Sequence, residues 1–288
     1  MPAIFDCRTV AGRYMDWVAR TLRDLPFTPK LATLLDAGRD DPGNRQYRDY
    51  IAKDAAKLGV PCLHRETRRP GEVPTALAEL NADPEVTGVM VLYPVGAPMR
   101  DEEVMDLISP SKDVEGLHST NLGYLIKYRR LLDQTRGVKC VVPATAKAVV
   151  KTLQAYPQVR IEGAFAVLVN NSMRVGKPLG LMLENLGATV VKCYDKTPRA
   201  LIEDCVRQAD ILVTAVPDPG FRIDPAWIKP GAAMLDVSFE GNVDFAALSR
   251  GPAAIVTAPD NRVGRVTRAM TFVNLVYCAQ AKTSGVRS

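Results

Sequence analysis

Two carboxylates, Asp113 and Glu115, stand in a short polar segment, residues 112–116 (KDVEG). Earlier in the chain, residues 88–94 (GVMVLYP) form an apolar run that is typical of a buried strand and ends at a proline. A carboxylate can accept hydrogen bonds from the polar edge of a ligand, and it can stabilise a cation that develops during a reaction. Asp113 and Glu115 are therefore candidates for contact with a ligand.

A second polar segment, residues 170–176 (NNSMRVG), lies between a predicted strand and a predicted helix. In dinucleotide-binding folds, backbone N–H groups in such a turn hold a pyrophosphate, because the dipoles of the following helix favour an anion there. The segment lacks the complete G-x-G-x-x-G pattern, so an ordinary strand-to-helix turn stays open as an alternative.

A third candidate is Asp195, which follows the next predicted strand. A carboxylate at the end of the second strand of a dinucleotide-binding fold can accept hydrogen bonds from ribose hydroxyls, and it repels a 2′-phosphate. The alternative is a solvated turn residue with no ligand.

These side chains need a scaffold, and the periodicities of the first half alternate between helix and strand. Repeated alternation of this kind predicts a parallel sheet that helices cover on both faces. The predicted helices are 9–25, 48–58 and 73–80, and the predicted strands are 30–36, 61–65 and 87–93.

The second half repeats the alternation more clearly and predicts a doubly wound nucleotide-binding sheet. A long amphipathic helix over 266–281 ends the pattern. The predicted strands are 165–169, 189–193, 211–215, 233–237 and 254–257, with helices over 176–186 and 198–208.

Composition describes an ordinary globular protein that is long enough, at 288 residues, for two domains. Basic residues exceed acidic ones by 37 to 32, and they are spread along the chain. A dedicated nucleic-acid binder would cluster them on one face, so a small anionic ligand fits this balance better.

The six cysteines form no C-x-x-C pair, and only two histidines accompany them. We therefore expect buried free thiols in a reducing compartment and no metal site. The N-terminus carries no basic segment followed by an apolar core, and no run approaches about 18 apolar residues. We expect a cytoplasmic protein that binds neither membranes nor nucleic acid.

In their order and spacing, these segments resemble the folate-linked methylenetetrahydrofolate dehydrogenases over roughly residues 30 to 280. The resemblance implies an α/β folate-binding domain over 1–145, against which residues 266–288 pack, and a Rossmann-type NAD-binding domain over 146–265. It also implies a homodimer through the cofactor domain. The blocks that carry the resemblance are 88–94, 112–116, 141–147 (VVPATAK) and 163–178 (GAFAVLVNNSMRVGKP).

The cofactor segment departs from the family pattern in two places. The family loop reads Gly-Arg-Ser-x-x-Val-Gly-x-Pro, and this chain has Asn171 where the arginine that helps hold the 2′-phosphate of NADP would stand. Where NADP-using relatives carry Cys-His-Ser-Lys-Thr, this chain carries Asp195 in place of the serine. Both departures favour NAD.

The folate segment also lacks parts of the pattern. The family's Tyr-x-x-x-Lys keeps its stacking tyrosine as Tyr47, but the lysine that hydrolyses the methenyl bridge is replaced by Ile51. The supporting glutamine is replaced by Leu92, and the cysteine of Pro-Cys-Thr-Pro by Ala144. Lys53 lies about 200° from Ile51 around a helix, so we expect it not to substitute.

These departures make the chain most similar to the monofunctional, NAD-dependent, yeast-type subgroup, which shares Asp-Val-Glu-Gly and aromatics matching Tyr50 and Tyr93. The resemblance implies oxidation of 5,10-methylenetetrahydrofolate to the methenyl form by hydride transfer to NAD, without cyclohydrolase activity. Two alternatives stay open: a bifunctional NADP-dependent dehydrogenase and cyclohydrolase, and a catalytically silent folate or dinucleotide-binding protein.

The resemblance implies a set of site residues on both domains. The implied catalytic residues are Tyr47, Asp113 and Glu115. The implied substrate-binding residues are Tyr50, Ile51, Leu92, Tyr93, Pro94 and Thr267. The implied cofactor-binding residues are Asn171, Ser172, Val175, Gly176, Tyr194, Asp195, Ala215, Val216 and Val237.

Overall fold

The computed structural model describes residues 1–39, 41–96, 99–239 and 241–285. The chain forms two compact units. The N-terminal unit comprises Tyr14–Ala144 and Arg268–Ser288, and the Rossmann unit comprises Met1–Arg13 and Thr145–Thr267.

Strands and helices alternate through both units, as the periodicities predict. The strands are β1 (Ala3–Ile4), β2 (Lys30–Asp36), β3 (Cys62–Thr67), β4 (Val86–Leu92), β5 (Leu131–Asp133), β6 (Val138–Lys139), β7 (Phe165–Val169), β8 (Thr189–Cys193), β9 (Ile211–Thr214), β10 (Ala233–Asp236) and β11 (Ile255–Val256). The helices are α1 (Cys7–Arg23), α2 (Pro42–Leu58), α3 (Val73–Ala82), α4 (Asp101–Met105), α5 (Ser119–Ile126), α6 (Ala144–Gln154), α7 (Gly176–Glu184), α8 (Arg199–Gln208), α9 (Phe245–Leu248) and α10 (Gly264–Ser284).

The N-terminal unit is built on a three-stranded sheet in the order β3-β2-β4, and both pairings are parallel. Every residue of β4 is buried, which agrees with its uninterrupted apolar sequence. Residues 112–114 continue the sheet beyond β4, because the Val89 N–H donates to the Lys112 carbonyl at 2.6 Å. The polar loop that follows is thereby held beside β4.

The Rossmann unit is built on a six-stranded sheet in the order β1-β11-β10-β9-β7-β8, and all of its pairings are parallel. The chain passes from β7 to β8 on one side and then returns to β9 on the other side of β7. Ligands of open parallel sheets bind at such a reversal, outside the carboxyl ends of the strands. The predicted α/β class and doubly wound sheet are confirmed.

The structure differs from the predicted elements at one helix start, at one domain boundary and in several short elements. Helix α2 begins at Pro42 and not at residue 48, because the Asp41 carboxylate caps it by accepting the Asn44 N–H at 3.1 Å. Residues 1–13 belong to the Rossmann unit and not to the first domain, because β1 pairs with β11. The short α4, α5 and α9 and the β5–β6 hairpin carry too few residues to show a period.

Candidate active site

The Asp113 side chain lies at the centre of the polar loop that follows β4. Its fully buried carboxylate accepts backbone N–H groups from Glu115 at 3.1 Å, Gly116 at 2.8 Å and His118 at 2.8 Å. The Asn121 amide donates to it at 2.9 Å. Burial raises the pKa of the Asp113 carboxyl above its ordinary value, and the four donors offset only part of this rise. Its burial favours a role in holding the loop over the direct catalytic contact expected from the sequence.

Glu115 is half-buried and stands in the turn that Asp113 holds. Its carbonyl accepts the Ala144 N–H at 3.0 Å, which joins the turn to the start of α6. The next residue, Gly116, has φ of 71°, and a Cβ atom there would lie 2.4 Å from the Val142 carbonyl carbon. Only glycine fits this conformation and this close approach, so the turn is fixed on both sides of Glu115.

Two further side chains anchor the same loop within the N-terminal unit. The Lys112 ammonium donates to three carbonyls at the end of α3, those of Leu80 at 3.1 Å, Asn81 at 2.7 Å and Asp83 at 2.6 Å. The Asn274 amide, fully buried in α10, donates to the carbonyls of Val114 at 2.8 Å and Val142 at 2.9 Å. Sequence reasoning missed both anchors, although a lone asparagine in an apolar helix was a visible signal for Asn274.

Helix α2 presents the predicted folate residues on two faces. Tyr47 is half-buried, and Tyr50 is 41% exposed. Ile51 is completely buried, whereas Lys53 is exposed and lies with its ammonium 6.0 Å from the Tyr50 ring centroid. The structure thus confirms that Lys53 points to another face than Ile51.

Tyr50 contacts a second cation from α10. The Arg268 guanidinium lies 5.0 Å from the Tyr50 ring centroid, and its Nε atom donates to the Asp54 carboxylate at 2.7 Å. Thr267 precedes Arg268 but is buried, and its hydroxyl lies 3.4 Å from the Val263 carbonyl.

The carboxyl end of β4 carries the next group of predicted residues. Leu92 and Tyr93 are buried, Pro94 is half-buried, and the Tyr93–Pro94 peptide bond is cis. The Leu92 carbonyl lies 3.4 Å from the Asn44 amide at the start of α2. The structure therefore brings the start of α2, the end of β4 and the loop around Glu115 to one end of this sheet.

A cleft of about 700 Å³ opens at the reversal between β7 and β9 in the Rossmann unit. Its volume lies within the range of pockets that hold small molecules and cofactors, roughly 300 to 1,000 Å³. The ends of β7, β8 and β9 supply its walls, including Asn171, Ser172, Tyr194, Asp195, Val216 and Asp218. A dinucleotide fits this position, so the residues present agree with a nicotinamide cofactor.

Asn170 organises the predicted phosphate loop. Its Oδ1 atom accepts the Ser172 N–H at 2.9 Å, the Ser172 hydroxyl at 2.8 Å and the Gly176 N–H at 2.9 Å. Its amide donates to the Ala215 carbonyl at 2.7 Å. The loop folds around this side chain, and sequence reasoning missed it. The visible signal was an asparagine two residues before a serine, which is typical of a side-chain-stabilised turn.

These contacts differ from the expectation that the loop amides face a pyrophosphate. The Gly176 N–H binds Asn170, and the Val175 N–H donates to the Ser172 hydroxyl at 3.1 Å. A Cβ atom on Gly176 would lie 2.0 Å from the Asn170 carbonyl oxygen, so glycine is needed there for packing against the strand end.

Tyr194 and Asp195 follow β8, line the same cleft and are both exposed. The Asp195 carboxylate is 3.1 Å from the Lys196 ammonium, and both side chains are more than three-quarters exposed. Such an exposed pair contributes little energy, so Asp195 keeps its capacity to accept hydrogen bonds from a ligand.

The remaining predicted cofactor residues lie at the ends of β9 and β10. The Val216 N–H donates to the Asn242 side-chain oxygen at 2.9 Å, and the Asn242 amide nitrogen donates to the Val216 carbonyl at 3.0 Å. The Val237 N–H donates to the Thr214 carbonyl at 2.8 Å. Ala215 and Val216 therefore lie at the reversal of the sheet, and Val216 also lines the cleft.

All six cysteines are free thiols, and Cys62 is the one that is only half-buried. In the described part of the chain, no group of three or more His, Cys, Asp or Glu side chains could hold a metal ion. No helix in those same residues has the length and apolar character to cross a membrane.

The parallel sheet, its reversal and the cleft define a protein with a Rossmann-type NAD(P)-binding domain. Residues 143–283 match the model for the tetrahydrofolate dehydrogenase/cyclohydrolase NAD(P)-binding domain, and residues 5–115 match the model for the catalytic domain of the same proteins. The chain belongs to the tetrahydrofolate dehydrogenase/cyclohydrolase family.

Individual relatives agree with this family. The bifunctional protein FolD of Methanoculleus marisnigri is 30% identical over 295 residues, with 98% of each chain covered. A 5,10-methylenetetrahydrofolate dehydrogenase structure from the silkworm Bombyx mori has a TM-score of 0.84 and 28% identity, covering 99% of this chain and 100% of its own.

The structure of the NAD-dependent 5,10-methylenetetrahydrofolate dehydrogenase from Saccharomyces cerevisiae has a TM-score of 0.87 but only 22% identity, covering 99% of this chain and 100% of its own. At that identity the likeness shows the fold alone. The comparisons therefore support the family, but they do not single out the yeast-type subgroup that the sequence motifs favoured.

Proposed function

We propose that this protein oxidises 5,10-methylenetetrahydrofolate to 5,10-methenyltetrahydrofolate with a nicotinamide dinucleotide as hydride acceptor. Membership of the family supports the reaction class. The observation that carries the proposal for this chain is the anchored position of Glu115, whose turn is fixed by Asp113, Gly116 and Asn274. A carboxylate held in one place can face a developing cation without reorganising during the reaction.

The chemistry fits the side chains that are present. A nicotinamide dinucleotide bound in the cleft would supply the acceptor for a hydride from the bridging methylene carbon, and the two flanking nitrogens of the folate would share the resulting positive charge. No proton moves in this step, so no general base is needed. Glu115 stabilises the positive charge, and Tyr47 stacks on the folate and orients it. Mixing the protein with methylenetetrahydrofolate and dinucleotide tests this, because absorbance then reports both the reduced cofactor and the methenyl product. Absence of both signals would contradict the proposal.

We further propose that hydrolysis of the methenyl product is absent. Ile51 and Leu92 stand where the hydrolytic lysine and its glutamine partner would be, and both are buried and apolar. The competing candidate is a bifunctional dehydrogenase and cyclohydrolase, and the name of the Methanoculleus relative favours it. The names of the curated relatives support this second candidate better than the first.

The decay of methenyltetrahydrofolate at neutral pH separates the two candidates. We expect the same decay with and without protein. Decay that is clearly faster with protein establishes a cyclohydrolase. The variant Lys53→Ala then shows whether the exposed lysine supplies the base, since hydrolysis that survives this change must use another group.

For the cofactor we propose a preference for NAD, supported by Asp195 in the cleft and by Asn171 in place of an arginine. The double variant Asn171→Arg with Asp195→Ser replaces repulsion of the 2′-phosphate by a charge-assisted hydrogen bond. We expect it to shift preference toward NADP by about 1 to 3 kcal/mol. Asn171→Gln serves as the control, because it adds length without charge. A wild-type protein that binds and uses NADP as well as NAD overturns the assignment.

A homodimer through the Rossmann unit also remains a proposal, and it follows from the family resemblance. Sedimentation equilibrium of the full chain tests it, and a monomer at all concentrations would contradict it.

A further inference from the structure

Arg199, the first residue of α8, is an exposed arginine that three contacts hold in one position. Its guanidinium carbon lies 4.5 Å from the Trp227 ring centroid and 5.6 Å from the Phe221 ring centroid. One terminal nitrogen donates to the Arg222 carbonyl at 2.7 Å. The Arg199 side chain is therefore already ordered, so a ligand that binds it avoids much of the cost in side-chain conformational entropy.

The contacts also place Arg199 between the core of the unit and the cleft. Trp227 and Phe221 are half-buried and pack against the apolar core of the Rossmann unit. Arg199 lines the cleft together with Phe221 and Ile202. Arg199 thus holds its guanidinium close to Trp227 and is also one of the residues that line the cleft.

Arg199 shares its wall with the carboxylate that we assign to the ribose. Asp195, Thr197 and Arg199 all follow β8, and all three line the cleft. In dinucleotide-binding folds the carboxylate at this strand end binds the ribose of the adenosine half. The base attached to that ribose must then lie against a neighbouring part of the same wall.

We propose that Arg199, supported by Trp227, is the platform on which the adenine ring of the dinucleotide stacks. A planar guanidinium stacks on flat aromatic systems and is weakly hydrated, so it serves as a platform for nucleobases. This inference rests on the proposed use of a nicotinamide dinucleotide, and it names a further residue that determines affinity for it.

The same cation could instead pair with a 2′-phosphate, and this alternative predicts different behaviour. A stacking platform depends on the plane of the guanidinium and acts equally on NAD and NADP. A phosphate partner depends on charge, which lysine keeps as a point charge, so Arg199→Lys would retain much of the affinity and only NADP would be affected. The variants Arg199→Ala and Arg199→Lys therefore distinguish the two roles.

The experiment measures binding by the full-length protein and needs no turnover. Calorimetry gives affinities for NAD, NADP, ADP-ribose and nicotinamide mononucleotide, which lacks the adenosine half. Because the chain has only two tryptophans, the variant Trp17→Phe leaves Trp227, whose ring centroid lies 4.5 Å from the Arg199 guanidinium carbon, as the fluorescent reporter. Arg207→Ala is the matched control, since Arg207 is another exposed arginine of α8, paired with Glu203 at 2.7 Å.

We expect Arg199→Ala to weaken NAD, NADP and ADP-ribose about tenfold each and to leave the mononucleotide unchanged. Arg199→Lys should recover little of the loss, and Arg207→Ala should bind as wild type does. Circular dichroism checks that each variant is folded.

Three results would overturn the stacking role of Arg199 but leave the proposed function intact. They are an unchanged ADP-ribose affinity in Arg199→Ala, wild-type affinity in Arg199→Lys, and a loss of affinity that is confined to NADP. A wild-type protein that binds none of these dinucleotides overturns the proposed function as well. The two failures are therefore distinguishable.

Discussion

At the scale of single residues, several side chains hold the backbone of the candidate site in place. Asp113 binds three backbone N–H groups, and Asn274 binds two carbonyls. Asn170 fixes the loop at the end of β7 in the same way. The side chains proposed to touch ligands, Glu115 and Asp195, extend from backbone that these residues have already ordered.

Glu115→Gln is expected to lower turnover of methylenetetrahydrofolate while leaving dinucleotide affinity unchanged. The amide keeps the shape of the side chain but removes the negative charge that stabilises the product cation. Steady-state kinetics and calorimetry with NAD measure the two effects separately. Glu102→Gln is the control, because Glu102 is exposed on α4. Unchanged kcat in Glu115→Gln would show that the charge has no catalytic role.

Ile51→Lys is expected to destabilise the protein by roughly 3 to 5 kcal/mol, because it places an unpaired charge in a fully buried position. The pKa of the introduced lysine side chain should fall, because burial disfavours its charged form. Adding Leu92→Gln should recover part of the loss by supplying a hydrogen-bond partner. Urea unfolding measures both effects. Ile51→Met is the control and should cost under about 1.5 kcal/mol. A fully stable Ile51→Lys would mean that water reaches this position.

At the scale of elements, helix α1 depends on a cap at its first turn. The Asp6 carboxylate accepts the Thr9 N–H at 3.1 Å and the Thr9 hydroxyl at 2.6 Å, and Asn261 donates to it at 3.2 Å. The Thr9 side chain, then its backbone N–H and the Asn261 amide, lower the pKa of Asp6 from 3.8 to about 2. The ionised form is thus the one that the folded state favours.

Asp6→Ala is expected to cost about 1 kcal/mol at neutral pH. Because the folded pKa is lowered, the contribution of Asp6 is fully present above pH 3.8 and is lost as the pH falls toward 2. Asp6→Asn keeps a capping oxygen but cannot titrate, so it should lose this dependence on pH. Urea unfolding of the three proteins between neutral pH and pH 2 tests it. If the free energies of unfolding of wild type and Asp6→Asn changed in parallel with pH, this role of the Asp6 carboxylate would be wrong.

Elements with a long or uniform pattern could be predicted from the sequence, whereas side-chain networks could not. Strands β2, β7 and β8 have the predicted bounds, because each is a short run rich in apolar and β-branched residues between turn segments. The burial of Ile51 also follows from its sequence position. The bonds from Asn170 to the Ala215 carbonyl and from Asn274 to the Val114 and Val142 carbonyls could not be predicted, since they depend on backbone from distant segments. The start of α2 was missed because capping by Asp41 outweighs the weak periodicity of its first turn.

At the scale of the whole molecule, the two tryptophans divide between the two units. Trp17 lies in the N-terminal unit and Trp227 in the Rossmann unit. In the Trp17→Phe protein, NAD at 100 times its Kd should therefore raise the free energy of unfolding reported by Trp227 by about 2.7 kcal/mol. Nicotinamide mononucleotide at the same concentration is the control and should shift it less. No shift with NAD would place the cofactor site elsewhere.

The division of the chain also has a consequence for how its gene can be cut. The chain changes units at three places, Arg13/Tyr14, Ala144/Thr145 and Thr267/Arg268, so neither unit is one continuous segment. A fragment limited to residues 146–265 would lack β1, so β11 would become an edge strand that is paired only with β10, and such an exposed edge favours aggregation. An exchange of the Rossmann unit with that of a relative must therefore transfer the first 13 codons together with those for 145–267.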